Sequence, residues 1–234
     1  MKGEKQMSRK KTIIVAIVLA LVLLIGGLIA YFTDTDTATN QFTLGDEVEI
    51  SITETGWTKT TGTTNWTNSS ALGVHPGVTV AKDPKISNDS ETTPAYVFAE
   101  VIVPCYASTG TTADTPLYTL NDSSDPAVPL GTTVGSSGNT GWTLISVSSV
   151  NITDKTITYV YAWGTSSEMT SLAASTPTTT PVFSSVTVAP TLTAAQKATA
   201  SATPNIVVNA YGIQTDGLSV TAPTAIYALA HPTN

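Results

Sequence analysis

The sequence contains few of the side chains that form disulfides, zinc sites or hydrolytic centres. One of its 234 residues is cysteine and two are histidine, so no disulfide can form within the chain. Cys105 has no histidine near it in sequence and is expected to be packed rather than nucleophilic. His75 and His231 are far apart, and neither lies in a His-Glu-x-x-His motif. The elbow Gly-x-Ser-x-Gly and paired Asp-Thr-Gly motifs are also absent, so we expect no metal, no cofactor and no enzymatic activity.

Basic residues are scarce outside the start of the chain. The protein has 10 Lys+Arg and 17 Asp+Glu, and residues 1–30 hold five of the bases and one of the acids. Residues 31–234 therefore carry 5 basic and 16 acidic side chains, a net charge of −11. A surface of this charge repels nucleic acid and anionic lipid, so neither is expected as a partner.

The chain begins with the pattern of an export signal. A basic head is followed by an apolar run at residues 13–30, and the small residue Ala30 precedes Tyr31 at a suitable cleavage point. The alternative is a retained membrane anchor, because about eighteen apolar residues can just cross a bilayer. Gly26 and Gly27 weaken a helix there, and no second basic cluster follows. We expect cleavage between Ala30 and Tyr31, with the membrane contacted only through the uncleaved signal helix.

The rest of the chain is rich in Thr and Ser and has the alternation of β-strands. Strands are predicted at residues 48–52, 78–86, 95–103, 142–147, 156–163, 182–188 and 206–211. Residues 78–86 form one strand through Pro84, and Pro104 ends the central strand in this interpretation. One short helix is predicted at residues 193–198, capped by Thr191 or Thr193. Residues 107–140 and 166–181 are expected to be loops with little core. The fold class is all-β, a sandwich or jelly roll at residues 47–234.

Four segments resemble motifs of the TasA/camelysin family of surface and biofilm-matrix proteins. The first is the signal junction, in which Gly26-Gly27-Leu28-Ile29-Ala30 precedes Tyr31-Phe32-Thr33-Asp34. The second is a strand pair formed by Lys82-Asp83-Pro84-x-Ile86-x-Asn88 and Ala95-Tyr96-Val97. The third and fourth are residues 181–188 and residues 206–218. Each motif is weak alone, but their order along the chain makes the match specific. The resemblance implies a secreted, jelly-roll-like β-sandwich released by a signal peptidase of the SipW type into the extracellular matrix or onto the cell surface.

The resemblance also implies that copies of the protein polymerise head-to-tail by donor-strand exchange. Residues 31–46 are the predicted donor segment, in which residues 31–41 are extended and Thr-rich, with too few apolar side chains to fold alone. Its predicted assembly strand comprises Tyr31, Phe32, Thr33, Thr35, Thr37, Thr39 and Phe42. The alternatives are a frayed N-terminus without a partner, a monomeric surface adhesin that presents exposed Trp57 and Trp66 to a ligand such as a glycan, and a secreted metalloprotease.

Overall fold

The computed structural model describes residues 33–35, 48–61, 66–71, 74–122, 129–200 and 204–231. The signal segment with Ala30 lies outside these residues, as do Tyr31, Phe32, Thr37, Thr39 and Phe42 of the predicted assembly strand. The described strands are β1 (Thr33–Thr35), β2 (Ile50–Thr53), β3 (Thr58–Lys59), β4 (Trp66–Thr67), β5 (Thr79–Ala81), β6 (Lys85–Asn88), β7 (Ala95–Tyr106), β8 (Thr115–Pro116), β9 (Tyr118–Asn121), β10 (Trp142–Val147), β11 (Thr156–Trp163), β12 (Thr176–Pro177), β13 (Ser185–Val188) and β14 (Val207–Gln214). A 3-10 turn at Ser69–Ala71 and two helices, α1 (Ala194–Thr199) and α2 (Pro223–Ala230), complete the described elements. The predicted all-β class is confirmed.

The largest sheet is antiparallel, with the strand order β1-β14-β7-β11-β10, and β8 pairs with the end of β7. β7 is its central strand, as predicted. Val97, Ala99 and Val101 on one face of β7 have no exposed surface, and neither does Phe98 on the other face. The strand is apolar on both faces because both faces of this sheet are covered.

Three smaller sheets, β12-β6-β2, β5-β13-β9 and β3-β4, accompany the main sheet. Ile86, Val182 and Phe183 form the main core with the side chains of β7 that alternate with Phe98. On the opposite face, Ile226 and Ala230 of α2 pack with Phe98 in a second core. The protein is therefore a β-sandwich with a helix on its outer face. α2 was not predicted, because its Ala-rich sequence between polar segments gives no amphipathic signal longer than two turns.

Two proline positions were interpreted wrongly from the sequence. Residues 78–86 form two strands, β5 and β6, which belong to different sheets. The chain changes sheet at Pro84, which cannot donate to a ladder and whose carbonyl accepts from Val182 N at 2.8 Å. Pro104 does not end β7. Cys105 N donates to Lys155 O, on the side of β7 that faces β11. The missing N–H of Pro104 therefore faces the opposite side of β7, where the pairing with β14 ends at Ile102, so no bond to β14 is lost.

The two predicted loops contain more core than expected. Residues 107–140 include β8 and β9, and Leu117, Leu120 and Leu130 are buried. Residues 166–181 include β12 and the buried residues Met169 and Leu172. These apolar residues are single or spaced among Thr, Ser and Pro, so no period marks them as strands.

The hairpin and the short helix were predicted correctly. β10 and β11 pair through the turn at residues 151–155. Thr193 is the N-cap of α1: its hydroxyl accepts from Gln196 N while the Gln196 side chain accepts from Thr193 N. This reciprocal pair is a capping box, which satisfies two of the N–H groups at the helix start.

Candidate functional site

The outer edge of β14 is only partly paired with another described strand. β7 pairs with β14 along its whole length on the inner side. On the outer side, β1 pairs with it antiparallel, with Thr33 opposite Ile213, Asp34 opposite Gly212 and Thr35 opposite Tyr211. In the part of the chain that the structure describes, no strand lies on this side of residues 207–210. Thr33 and Thr35 of the predicted assembly strand thus meet a sheet edge.

The opposite edge, at β10, is covered by its own chain. Gly135 N donates to Leu144 O at 2.8 Å, Leu144 N to Ser136 O at 3.0 Å and Gly138 N to Trp142 O at 2.9 Å. A covered edge cannot accept an added strand. Of the two edges of the main sheet, the β14 edge is the one that has positions, at residues 207–210, which no described strand covers.

The chain returns to β14 directly after the N-terminal segment. A Cβ atom on Gly212 would lie 2.5 Å from Ile50 Cγ1 and 3.0 Å from Val48 Cγ1. Gly212 thus lets the start of β2 lie against the edge strand. Thr35 is opposite Tyr211 and Val48 lies close to Gly212, so the described residues before and after residues 36–47 meet β14 at neighbouring positions.

Aromatic side chains fix the helix that flanks this edge. Tyr211 OH donates to Glu100 Oε2 at 2.9 Å, and Asn209 Nδ2 donates to the same oxygen at 3.1 Å. The rings of Tyr211 and Tyr227 meet edge-on at 6.2 Å, and Tyr227 stacks on His231 at 5.4 Å. Burial and then the charge of Glu100 raise the pKa of Tyr227 to about 12. Burial, followed by the bond to Glu100, also raises the pKa of Tyr211. These neutral phenols hold α2 beside β14, and α2 contacts β1 as well.

The Lys-Asp-Pro motif joins two segments of the chain through an ion pair and a hydrogen bond. Lys82 Nζ lies 2.7 Å from Glu54 Oε1 and 2.8 Å from Oε2, and both side chains are buried. The same ammonium lies 4.4 Å from the centroid of the Trp57 ring. Asp83 Oδ1 accepts from Thr55 N at 2.8 Å. The motif therefore fastens the end of β2 to the segment between β5 and β6.

Two other predicted features have structural roles. Trp57 is half-buried rather than exposed, because its ring packs on the main core and its Nε1 donates to Ala81 O at 3.0 Å. The Trp66 side chain lies outside the described residues. Asn88 is fully buried, and its Nδ2 donates to Thr93 O at 2.9 Å and Leu172 O at 3.1 Å. The conformation of the loop before β7 depends on these bonds.

The described residues do not fit a zinc hydrolase site. His75 is exposed in the turn before β5, and the ring of His231 lies edge-on 4.9 Å from the Tyr211 ring. Among the residues that the structure describes, no group of three His, Cys, Asp or Glu side chains is placed to hold a metal ion. Cys105 is buried, as predicted, and burial followed by the charge of Asp114 raises the pKa of its thiol to about 11. No helix within the described ranges is long and apolar enough to span a bilayer.

The comparison with known families bears on the N-terminal part of the chain. A family model described as camelysin metallo-endopeptidase matches residues 6–95. The predicted resemblance to the TasA/camelysin family is confirmed over this stretch. The stretch includes the signal junction, β1 to β6 and the first residue of β7, and it contains one histidine, His75. No curated protein and no solved structure matches the chain.

Proposed function

We propose that this protein is a secreted structural subunit of an extracellular fibre, assembled head-to-tail by exchange of its N-terminal strand. The observation that carries the proposal is the pairing of β1 with the edge of β14, which no other described strand covers. A second copy that supplied the same segment would make the same main-chain bonds between chains. Because each copy has one donor segment and one acceptor edge, such exchange is heterologous and extends into a filament.

The register allows a longer pairing between chains than the one described within the chain. β1 has 3 residues and β14 has 8. Continued from Thr33 opposite Ile213, the same register would place Phe32 opposite Gln214 and Thr39 opposite Val207. Residues 32–39 of a neighbouring copy would then pair with the whole of β14. The predicted assembly residues Thr33, Thr35, Thr37 and Thr39 fall within this span.

Export precedes assembly in this proposal. A SipW-type signal peptidase would cut between Ala30 and Tyr31 and release the segment that pairs with β14. The acidic charge of residues 31–234 suits an extracellular location without nucleic-acid or lipid partners. The family description names a metallo-endopeptidase. The described residues do not fit that metal chemistry, so we propose a structural role in place of a catalytic one.

Truncation tests the proposal. A protein that begins at Gln41 should fold, because most of its core lies in β2 to β14, but it should form no fibres by negative-stain electron microscopy. A synthetic peptide of residues 31–42 should bind the truncated protein, since β14 is then open. Fibres of normal length from the truncated protein would show that another contact carries assembly.

A milder change tests the same strand in the full-length chain. Thr215 N donates to Pro94 O, so in the observed register the backbone groups of Gly212 point away from β7 and towards Asp34. Asp34→Pro therefore removes one ladder donor and should shorten the fibres. Thr112→Pro, in the exposed loop between β7 and β8, is the control and should leave fibre length unchanged. Equal fibre lengths in both variants would argue against pairing through Asp34.

A further inference from the structure

We propose that the end of the main sheet at Val207 is a docking surface for the opposite end of a second copy of this chain. This inference rests on the proposed strand exchange and adds a second contact to it, made by folded parts of both subunits. Three observations support it: the direction of β1 along β14, the exposed apolar side chains at one end, and the unequal charges of the two ends.

The direction of pairing fixes which ends meet. β1 is antiparallel to β14, so a donor strand in this register would begin opposite Gln214 and leave opposite Val207. The donor subunit resumes at Val48, and residues 40–47 can span no more than about 28 Å. The body of the donor must therefore lie near Val207 of the acceptor, with the start of its own β2 foremost.

The surface at Val207, called the lysine end here, consists of Ile152, Lys155, Lys197 and Val207. Val207 pairs with Ile102 near the end of β7, and Lys155 O accepts from Cys105 N at 2.7 Å, which places the β10–β11 turn at the same end. Lys155 Nζ donates to Ala200 O, directly after the helix that carries Lys197. The exposed fractions of Ile152 and Val207 are 68% and 45%, so this end presents apolar surface to solvent.

Among the described residues, two acids also lie at the lysine end, and both accept hydrogen bonds from nearby groups. Asp154 Oδ2 accepts from Asn151 Nδ2 at 2.7 Å. Asp114 accepts from Ser108 N and from the Thr115 hydroxyl, each at 2.8 Å, and these bonds lower its pKa. The two lysines balance these two carboxylates, so the lysine end is locally neutral within a chain whose mature part has a charge of −11.

The opposite surface, called the acidic end here, consists of Glu49, Asp89, Glu91 and Asp216, all exposed. Asp89 N donates to Glu49 O at 2.7 Å, which holds the start of β2 beside the end of β6. The Nδ2 of the neighbouring Asn88 donates to Leu172 O, and Leu172 pairs with Ala95 at the start of β7. Ala95 is opposite Gln214, and Gln214 Nε2 donates to Asp216 O at 3.0 Å. These contacts place the four carboxylates at the Gln214 end of the sheet, beside the start of β2.

The charges make the head-to-tail contact the favourable one. Two acidic ends would repel each other. The lysine end is neutral, carries two ammonium groups and has exposed apolar side chains, so its contact with an acidic end avoids this repulsion. The strand direction brings the acidic end of the donor to this surface. Both contacts thus specify the same polarity along the fibre.

Charge variants test the contact, with elongation from fibre seeds followed by light scattering at low salt. Lys197→Glu should slow elongation at least threefold relative to Lys59→Glu, which changes the net charge equally at an exposed lysine outside both surfaces. The double variant Lys197→Glu/Glu91→Lys should recover most of the lost rate, because each subunit then offers reversed charges at both ends. Lys197→Gln, which adds no negative charge, replaces Lys197→Glu if that variant melts at a lower temperature.

The result that overturns the proposal is equal slowing by Lys197→Glu and Lys59→Glu, since general repulsion would then explain both. Binding of the peptide of residues 31–42 to the truncated protein separates this failure from failure of strand exchange. If the peptide binds and the two variants elongate alike, the docking surface is wrong while strand exchange stands. If the peptide does not bind and the full-length chain forms no fibres, both proposals are wrong.

Discussion

Replacing Gly212 by alanine should destabilise the sandwich and weaken the edge that accepts a strand. The new methyl carbon would lie 2.5 Å from Ile50 Cγ1 and 2.6 Å from Ile50 Cδ1, well inside van der Waals contact. The buried Ile50 side chain must rotate, or β2 must move away from β14, and overpacking of this kind costs roughly 1–3 kcal/mol. For a domain of this size, the melting temperature should fall by about 2–4 °C for each kcal/mol. Because Gly212 is opposite Asp34 in the β1 pairing, the rate of fibre elongation should fall as well.

Thermal unfolding followed by near-ultraviolet circular dichroism measures the change, since Trp142 and Trp163 pack edge-on in the main core. Ile50→Ala should itself cost about 2–5 kcal/mol, but it removes the two atoms that the methyl group meets most closely and leaves only Val48 Cγ1 at 3.0 Å. Gly212→Ala should therefore cost much less in the Ile50→Ala background than in the natural sequence. An unchanged melting temperature for Gly212→Ala, or strictly additive effects in the double variant, would refute the close approach of β2 to β14.

Three further outcomes are expected. Lys82→Met should destabilise the fold by about 3–5 kcal/mol in urea unfolding, because Glu54 is left buried without its cation, and Glu54→Leu added to it should recover most of the loss. Cys105 should react with a thiol reagent only after unfolding. Burial raises the pKa of the Cys105 thiol from an ordinary value of 9.0 to about 11 in the fold. The stability that comes from keeping this thiol neutral is therefore complete below pH 9 and is lost as the pH rises towards 11. Cys105→Ala should remove this pH dependence of the free energy of unfolding. N-terminal sequencing of secreted protein should begin at Tyr31, and membrane-bound protein that retains Ala30 would contradict this.

Strands with a regular pattern could be predicted from the sequence because burial follows their period. Ile50 is buried and Ile52 half-buried on an alternating strand, and β7 is apolar on both faces as a central strand must be. The errors at Pro84 and Pro104 have a different origin. A proline disrupts a ladder only on the side to which its missing N–H would point, and the sequence does not reveal which neighbour lies on that side.

The candidate site was only partly predictable for a related reason. The Thr-rich composition of residues 31–42 indicated a strand that needs a partner, and Thr33 and Thr35 do pair with a sheet edge. The identity of that edge depends on strands far apart in sequence, β7 and β14, and on the cover that residues 135–138 give to β10. The ion pair of Lys82 with Glu54 could not be predicted from local pattern either, since Glu54 directly follows β2 and Lys82 directly follows β5, in different sheets.

The pairing of β1 within its own chain competes with the proposed exchange between chains. A short tether holds a segment near its own acceptor at an effective concentration of roughly millimolar, about a thousandfold above a micromolar solution of subunits. A pairing between chains that reproduced only the three positions of β1 would lose this competition. Exchange is favoured only if the bound segment gains contacts that it lacks within its own chain. In the proposed fibre, the lysine end offers the body of the donor contacts that a single subunit cannot make. A single subunit would therefore stay self-paired, while the end of an existing fibre, which offers the lysine end as well as β14, would capture it.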